Sequence, residues 1–191
     1  SKLRIQHALS DGKQFDGRSF RYDPRLVLRP DGTPLYDMIF DASEERRQVV
    51  EQSLPALRGR IRVVGDLRAD ALLRLEAKRA SIRAAWGHAA DDRVVVLCST
   101  WGAGSLIEQI GPALVEEARR LGATTNFRFV LSVHPDSWRD PRHRAWLHRV
   151  DALRGVRVLP AGEAWPAAFV AADALISDHT SLLAMYALLR K

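Results

Sequence analysis

Two short runs of uninterrupted apolar residues constrain the fold of this chain more than any other feature. Residues 94–97 read Val-Val-Val-Leu, and residues 129–131 read Phe-Val-Leu. Strands that are apolar on both faces are typical of a parallel sheet covered by helices on either side, whereas a half-exposed sheet alternates apolar and polar residues. The runs therefore predict an α/β domain with a buried parallel sheet.

Strand and helix patterns alternate around these two runs. The predicted order is strand 93–99, helix 105–121, strand 127–133, helix 142–153, strand 156–159, short helix 165–172, strand 174–177 and helix 180–189. A long amphipathic helix is predicted ahead of them, over residues 67–86. Such alternation predicts a doubly wound, Rossmann-like parallel sheet from about residue 66 onward.

The first third of the chain has a different character. Residues 1–35 are dense in Gly, Asp and Pro, which predicts loops. A strand is predicted over 35–40, a helix capped by Ser43 follows it, and another strand is predicted over 60–64. We interpret residues 1–64 as the carboxyl-terminal remnant of an α/β domain and residues 65–191 as an incomplete second domain. We expect a fragment that is truncated at both ends.

The charge balance points to anionic partners or to codon usage. The formal net charge is +6, and only four of the 29 basic residues are lysines. Arginine suits the recognition of phosphate and carboxylate groups, but a GC-rich genome also enriches it. The chain has one cysteine, Cys98, which excludes a disulfide framework and fits a reducing, cytoplasmic compartment. It has neither a leader pattern nor an apolar run of about 18 residues.

Polar groups follow three of the predicted strands where each strand ends. The exits are the loop 99–105, the dipeptide His134-Pro135 and the turn 177–181. Ligands of open α/β sheets bind outside the carboxyl ends of the strands, where loop amides and helix starts favour phosphate and histidine can donate or exchange a proton. Each exit by itself is also explained as a capping turn. The three together predict a phosphate site.

Other kinds of site have little support. The chain has neither a Gly-x-Gly-x-x-Gly fingerprint nor a phosphate-binding P-loop, and His143 and His148 stand five residues apart, off the spacing of a helical metal pair. We therefore predict no metal and no cofactor. The arginines between 139 and 149, near Trp138 and Trp146, form either a solvated face or a surface for anionic lipid.

Four segments resemble, in order, the CDP-glycerol glycerophosphotransferase family. They are 96–102 (Val-Leu-Cys-Ser-Thr-Trp-Gly), 133–135 (Val-His-Pro), 162–165 (Gly-Glu-Ala-Trp) and 172–181 (Ala-Asp-Ala-Leu-Ile-Ser-Asp-His-Thr-Ser). The family comprises teichoic-acid-type polymerases and their actinobacterial relatives. The resemblance covers roughly residues 36–189, is strongest from Gly65 on, and implies a GT-B fold of two Rossmann-like domains.

The resemblance also implies roles for individual residues. In that family the carboxyl-terminal domain binds the CDP-linked donor. The resemblance implies that His134 is a catalytic residue at the donor phosphates. It also implies six further donor-binding residues: Ser99, Thr100, Gly102, Asp178, Thr180 and Ser181. A His-Gly element carries the base that activates the acceptor. Residues 5–8 resemble it, so His7 is the candidate base, with Ala8 where Gly is usual.

The implied activity is transfer of glycerol phosphate, or a similar alditol phosphate, from a CDP-linked donor to a cell-envelope polymer or lipid-linked acceptor. The implied location is the cytoplasm, with peripheral contact at the inner face of the plasma membrane as an option and no nucleic-acid partner. GT-B catalysis takes place between two complete domains, so we expect the isolated fragment to be inactive. The alternatives are a nucleotide-sugar glycosyltransferase or epimerase-like enzyme, and a non-catalytic GT-B-like interaction module, which Ala8 favours.

Overall fold

A computed structural model describes residues 2–5, 14–15, 18–19, 22–151, 155–162 and 164–190. The chain divides into two compact units, residues 1–70 and residues 71–191. In the described part of the chain, none of the helices combines the length and the apolarity needed to cross a bilayer.

The first unit contains a parallel sheet in the order β1-β4-β5 and a small antiparallel hairpin, β2-β3. Its elements are β1 (Leu3–Ile5), β2 (Gln14–Phe15), β3 (Arg18–Ser19), α1 (Pro24–Val27), β4 (Met38–Asp41), α2 (Glu44–Ser53), a 3-10 helix (Pro55–Leu57) and β5 (Ile61–Val63). Its core consists of Val27, Ile39, Val50, Leu57 and Ile61. As predicted, Ser43 caps α2, its hydroxyl accepting from the Arg46 amide at 3.3 Å.

The prediction that residues 1–35 are loops is wrong for four short elements, β1, β2, β3 and α1. Each has two to four residues, too few to produce a periodic pattern. The three residues of β1 are strand because each lies in register beside a residue of β4. Long-range pairing, rather than local propensity, creates this strand.

The second unit is built on a parallel sheet in the order β8-β7-β6-β9. Its strands are β6 (Arg93–Ser99), β7 (Phe127–Val133), β8 (Val156–Val158) and β9 (Ala174–Ser177). Its helices are α4 (Arg79–Ala85), α5 (Leu106–Thr124), α6 (Pro135–Arg139), α7 (Pro141–Asp151), α8 (Trp165–Ala171) and α9 (Leu182–Ala187), and α3 (Leu67–Glu76) crosses the boundary between the units. Counted along this unit the strand order is 3-2-1-4, that of half a doubly wound Rossmann sheet.

The apolar runs behave as predicted. Residues 94–100 are all buried, as are residues 129–133. The observed bounds of β6, β7 and β9 agree with the predicted ones. The core between sheet and helices joins Leu97 and Leu131 of the strands to Ile107 and Val115 of α5 and Leu147 of α7. The predicted α/β fold with a buried parallel sheet is confirmed.

The predicted helix over 67–86 is two helices, α3 and α4, separated by a turn at residues 77–78. Arginines on α4 bind the carboxyl end of α8. The Arg79 guanidinium donates to the carbonyls of Val170 and Ala172 at 2.5 and 2.6 Å, and that of Arg83 donates to the Ala171 carbonyl at 3.0 Å. Cations at a helix carboxyl end satisfy its free carbonyls. This docking fixes the direction of α4, and residues 77–78 contain neither Gly nor Pro that would reveal the break.

Asp173, immediately before β9, is bound from the same direction. Its carboxylate accepts from the Val94 amide at 2.8 Å and from the guanidinium groups of Arg79 and Arg83 at 2.6 and 3.0 Å. Burial by itself raises the pKa of Asp173, but the Val94 amide and the two guanidinium groups outweigh it, and the net pKa is lowered. Asp173 thus fixes the start of β9 to the start of β6.

Candidate functional site

The candidate site lies at the carboxyl ends of β6 and β9. These strands are neighbours in the sheet although they are the first and the last of the unit. The connections after β6 lead to β7 and β8 on one side, while β9 lies on the other side. In doubly wound sheets such a switch in strand order leaves a crevice, and this crevice is where ligands bind.

The carboxylate of Asp178 holds the switch point together. The Ser99 hydroxyl donates to its Oδ2 at 2.8 Å, and the Thr100 amide donates to both of its oxygens at 3.0 Å. The Leu106 amide, in the first turn of α5, donates to Oδ2 at 2.9 Å. One side chain after β9 therefore binds the end of β6, the loop that follows it and the start of α5.

Hydroxyl groups complete the capping of α5. The Ser99 hydroxyl accepts from the Ile107 amide at 3.0 Å, and the Ser105 hydroxyl accepts from the Glu108 amide at 3.3 Å. The first amides of α5 are therefore bonded within the protein instead of being presented to a ligand. Ser99 and Thr100 are buried, with exposed fractions of 4% and 3%. The structure places both of them in the wall of the site, and their contact with a donor stays a prediction.

The loop between Thr100 and Ser105 forms the rim above this wall. Gly102 has a φ of +90°, in the left-handed region that favours glycine, and its carbonyl accepts from the Ser105 amide at 2.9 Å. Trp101 is 44% exposed. A Cβ placed on Gly104 would lie 3.8 Å from Cε1 of His179. The loop is thus flanked by His179 on the β9 side.

His134 flanks the same loop from the β7 side. Its backbone amide donates to the Ser99 carbonyl at 3.1 Å, and its ring centroid lies 6.0 Å from that of Trp101. Its Nδ1 accepts from the Asp136 amide at 3.1 Å and so caps α6. A neutral imidazole that accepts at Nδ1 carries its proton on Nε2. The side chain is 40% exposed at the sheet edge.

The predicted turn after β9 is only partly helical. We predicted a helix from residue 180, but α9 begins at Leu182, and the Thr180 hydroxyl accepts from the Leu182 amide at 3.3 Å. Ser181 is the residue before the helix, and its side chain makes no capping bond. Thr180 therefore shapes the turn. A donor contact stays a prediction for Thr180 and Ser181.

The structure thus brings most of the predicted site residues to one sheet edge. Ser99 ends β6, Thr100 and Gly102 follow it, His134 follows β7, and residues 178–181 follow β9. His7, the predicted base, lies outside the described residues. Sequence reasoning missed Trp101 and His179, although both stand inside the segments that carry the resemblance.

Solved structures of longer proteins share this fold. The wall teichoic acid polymerase TagF matches with a TM-score of 0.58 and 15% identity over 98% of this chain and 47% of its own. A TagF variant soaked with CDPG matches with a TM-score of 0.56 and 15% identity, over 94% of this chain and 42% of the variant's own. UDP-GlcNAc 2-epimerase from Methanocaldococcus jannaschii matches with a TM-score of 0.52 and 14% identity, over 98% of this chain and 52% of the epimerase. The chain spans about half the length of each. At such identities the likeness shows the fold, and fold and switch-point site together define an α/β protein of the GT-B type.

The family follows from the sequence match. The model of CDP-glycerol:poly(glycerophosphate) glycerophosphotransferase matches residues 18–191, and the chain belongs to this family. The resemblance seen in the four sequence segments is confirmed. No curated protein matches the chain significantly.

Proposed function

We propose that this chain carries the donor-binding part of a glycerophosphotransferase. The reaction moves glycerol phosphate, or a similar alditol phosphate, from a CDP-linked donor to a cell-envelope polymer or a lipid-linked acceptor. Family membership supports the reaction class. The observation that carries the site is the Asp178 carboxylate, whose bonds to Ser99, Thr100 and Leu106 fix the rim loop at the switch point beside His134.

The chemistry requires two kinds of group. An acceptor hydroxyl attacks the phosphorus that bears the glycerol, a new P–O bond forms, and the bond to the bridging oxygen breaks so that CMP leaves. A base must take the hydroxyl proton, and hydrogen-bond donors must stabilise the charge on the leaving phosphate. We assign the second task to the imidazole of His134, which is partly exposed at the sheet edge. The family resemblance makes His7 the candidate for the first.

The remaining site residues divide by their position. We propose that Ser99 and Asp178 position the rim loop, because their side chains bond to each other and to the start of α5. Thr100 and Gly102 shape the loop, and the hydroxyls of Thr180 and Ser181 line the turn beside it. A loop held in this way needs no rearrangement when the reaction begins.

The proposal extends to the organisation and location of the protein. We propose that residues 1–64 belong to the acceptor side and residues 65–191 to the donor side, and that the enzyme works in the cytoplasm. Arg139 and Arg142 have side chains 79% and 72% exposed, although Arg139 pairs with Asp136 and Arg142 with Asp140 and Glu108. We propose that these arginines make a peripheral contact with anionic lipid at the inner face of the plasma membrane. Turnover requires both sides complete, so we expect this chain by itself to bind donor without transferring it.

Calorimetry on the 191-residue chain tests the proposal. We expect CDP-glycerol to bind and UDP-sugars not to bind, and we expect His134→Ala to weaken the affinity for CDP-glycerol at least tenfold. His148→Ala is the matched control, since His148 is an exposed histidine in the last turn of α7, which returns to the opposite edge of the sheet. Binding of UDP-sugars alone would refute the proposal in favour of a nucleotide-sugar enzyme.

A further inference from the structure

We infer that His179 is a second imidazole contact for the diphosphate of the donor, opposite His134; the inference rests on the proposed function. His179 is exposed at the carboxyl edge of the sheet, between Asp178 and Thr180. A histidine side chain donates from one nitrogen when neutral and from both when protonated, so it suits a phosphate oxygen.

The position of His179 is fixed by its neighbour. The Asp178 carboxylate accepts hydrogen bonds from one hydroxyl and two backbone amides, in β6, the rim loop and α5. Because Asp178 is held in this way, the backbone position of His179, the next residue, is fixed at the switch point. Its ring approaches the rim loop at Gly104, where a Cβ would lie 3.8 Å from the His179 Cε1. Glycine leaves the loop backbone uncovered beside the imidazole.

His134 and His179 flank the rim loop from two sides, His134 beside Trp101 and His179 beside Gly104. The His134 amide bonds to the Ser99 carbonyl, while Asp178 bonds to the Ser99 hydroxyl and the Thr100 amide. Because β7 and β9 are the two neighbours of β6, and adjacent strands lie about 4.8 Å apart, their ends are roughly 10 Å apart. Imidazoles on strand ends at this separation can each donate to one diphosphate held between them.

Charge compensation favours this arrangement. A carboxylate next to the site would repel a diphosphate, but the Asp178 oxygens already face donors from Ser99, Thr100 and Leu106. Hydrogen bonds from amides and a hydroxyl stabilise a carboxylate and use its acceptor oxygens. The donor groups nearest the rim are therefore the imidazoles and the loop backbone.

Nuclear magnetic resonance and calorimetry on the 191-residue chain test the inference. With labelled histidine, addition of CDP-glycerol or of inorganic pyrophosphate should shift the Cε1–H signals of His134 and His179 and leave that of His148 in place. His179→Phe should weaken the binding of both ligands at least tenfold and leave cytidine binding unchanged. His179→Gln keeps an N–H donor and should retain more of the affinity, and His148→Phe should behave as wild type.

The outcomes separate this inference from the proposed function. If wild type binds CDP-glycerol while His179→Phe binds it equally well and the His179 signal stays in place, the inference is overturned and the proposed function stands. If His179→Phe also loses cytidine binding and melts at a lower temperature, the wild-type His179 signal decides: a shift on addition of pyrophosphate supports the inference, and a signal that stays in place overturns it. If wild type binds neither CDP-glycerol nor pyrophosphate, the proposed function fails and takes the inference with it.

Discussion

Ser99 and Asp178 stand 79 residues apart in the chain, yet the hydroxyl of the first donates to the carboxylate of the second at 2.8 Å. The same hydroxyl accepts from the Ile107 amide. The Ser99 hydroxyl therefore links the ends of β6 and β9 to the first turn of α5. Because such chains of hydrogen bonds polarise one another, the pair defines the geometry of the switch point.

Removing the Asp178 carboxylate should destabilise the protein. Asp178→Ala leaves the amides of Thr100 and Leu106 without their acceptor, and we expect the free energy of unfolding to fall by about 2–3 kcal/mol, since each buried unsatisfied donor costs about 1–3 kcal/mol. Urea denaturation measures the loss. Glu117→Ala, which removes an exposed carboxylate from α5, is the control and should behave as wild type. Equal stability of the two variants would contradict the role of Asp178.

The bond between Ser99 and Asp178 should appear as energetic coupling. In a double-mutant cycle of Ser99→Ala and Asp178→Asn, we expect a coupling energy of about 1–2 kcal/mol, because residues in one hydrogen-bond network are not additive. Urea denaturation of the four proteins gives the value. The pair Ser99→Ala and Glu117→Ala supplies the comparison and should be additive. Additivity in both cycles would mean that the two side chains act independently.

Acid should weaken the bonds by which Asp173 fixes the start of β9 to the start of β6. Its pKa in the folded protein lies below the 3.8 of an unfolded aspartate, so its contribution to stability is complete above pH 3.8 and is lost as the pH falls through the folded pKa. Asp173→Asn should lower the free energy of unfolding at pH 7 by about 1.5–3 kcal/mol, the range for hydrogen bonds to charged groups. Its stability should then change less than that of wild type below pH 3.8.

Denaturation curves between pH 7 and pH 2 decide the point. The exposed carboxylate of Glu117 again provides the control, as Glu117→Gln. A wild type and an Asp173→Asn variant with parallel stability profiles over that range would show that Asp173 does not carry the connection.

Cys98 should be inert in the folded protein. Burial, and next the charge of Asp178, raise the pKa of this thiol to about 12, and the reactive species is the thiolate. We expect negligible reaction with a disulfide reagent at pH 8 and full reaction in urea. As the chain has one cysteine, the signal is unambiguous. Native labelling as fast as that of a free cysteine would show that the end of β6 is open to solvent.

Trp101 should matter for binding more than for stability. It is 44% exposed beside His134, where the base of a cytidine nucleotide can stack on it. We expect Trp101→Ala to weaken CDP-glycerol binding by tenfold or more, in line with about 1–3 kcal/mol for base stacking, and to change the free energy of unfolding by less than about 0.5 kcal/mol. Calorimetry and urea denaturation measure the two effects. Leu183→Ala, at another exposed apolar residue, should leave binding unchanged.

The sequence predicts those parts of the structure that local pattern determines. The bounds of β6 and β7 follow from uninterrupted apolar runs, and their exits follow from the polar residues after them. The α6 helix was missed although Pro135, at its first position, is a recognised helix start. The turn at residues 77–78 and the strand β1 depend on distant partners, α8 and β4 respectively. The bond between Ser99 and Asp178 has no local signature, because it exists only once β9 lies beside β6.

The two aspartates that flank β9 fix the number of residues that the strand can have. The Asp173 carboxylate accepts from the amide of Val94, and the Asp178 carboxylate accepts from that of Thr100. The segment that contains β9 is therefore bonded to the β6 segment at both ends. Adding or deleting a single residue between them would let one carboxylate reach its amide and leave the other short of it. Substitutions within 174–177 that keep the count leave both contacts in reach. In this segment the number of residues therefore constrains the sequence more tightly than their identity does.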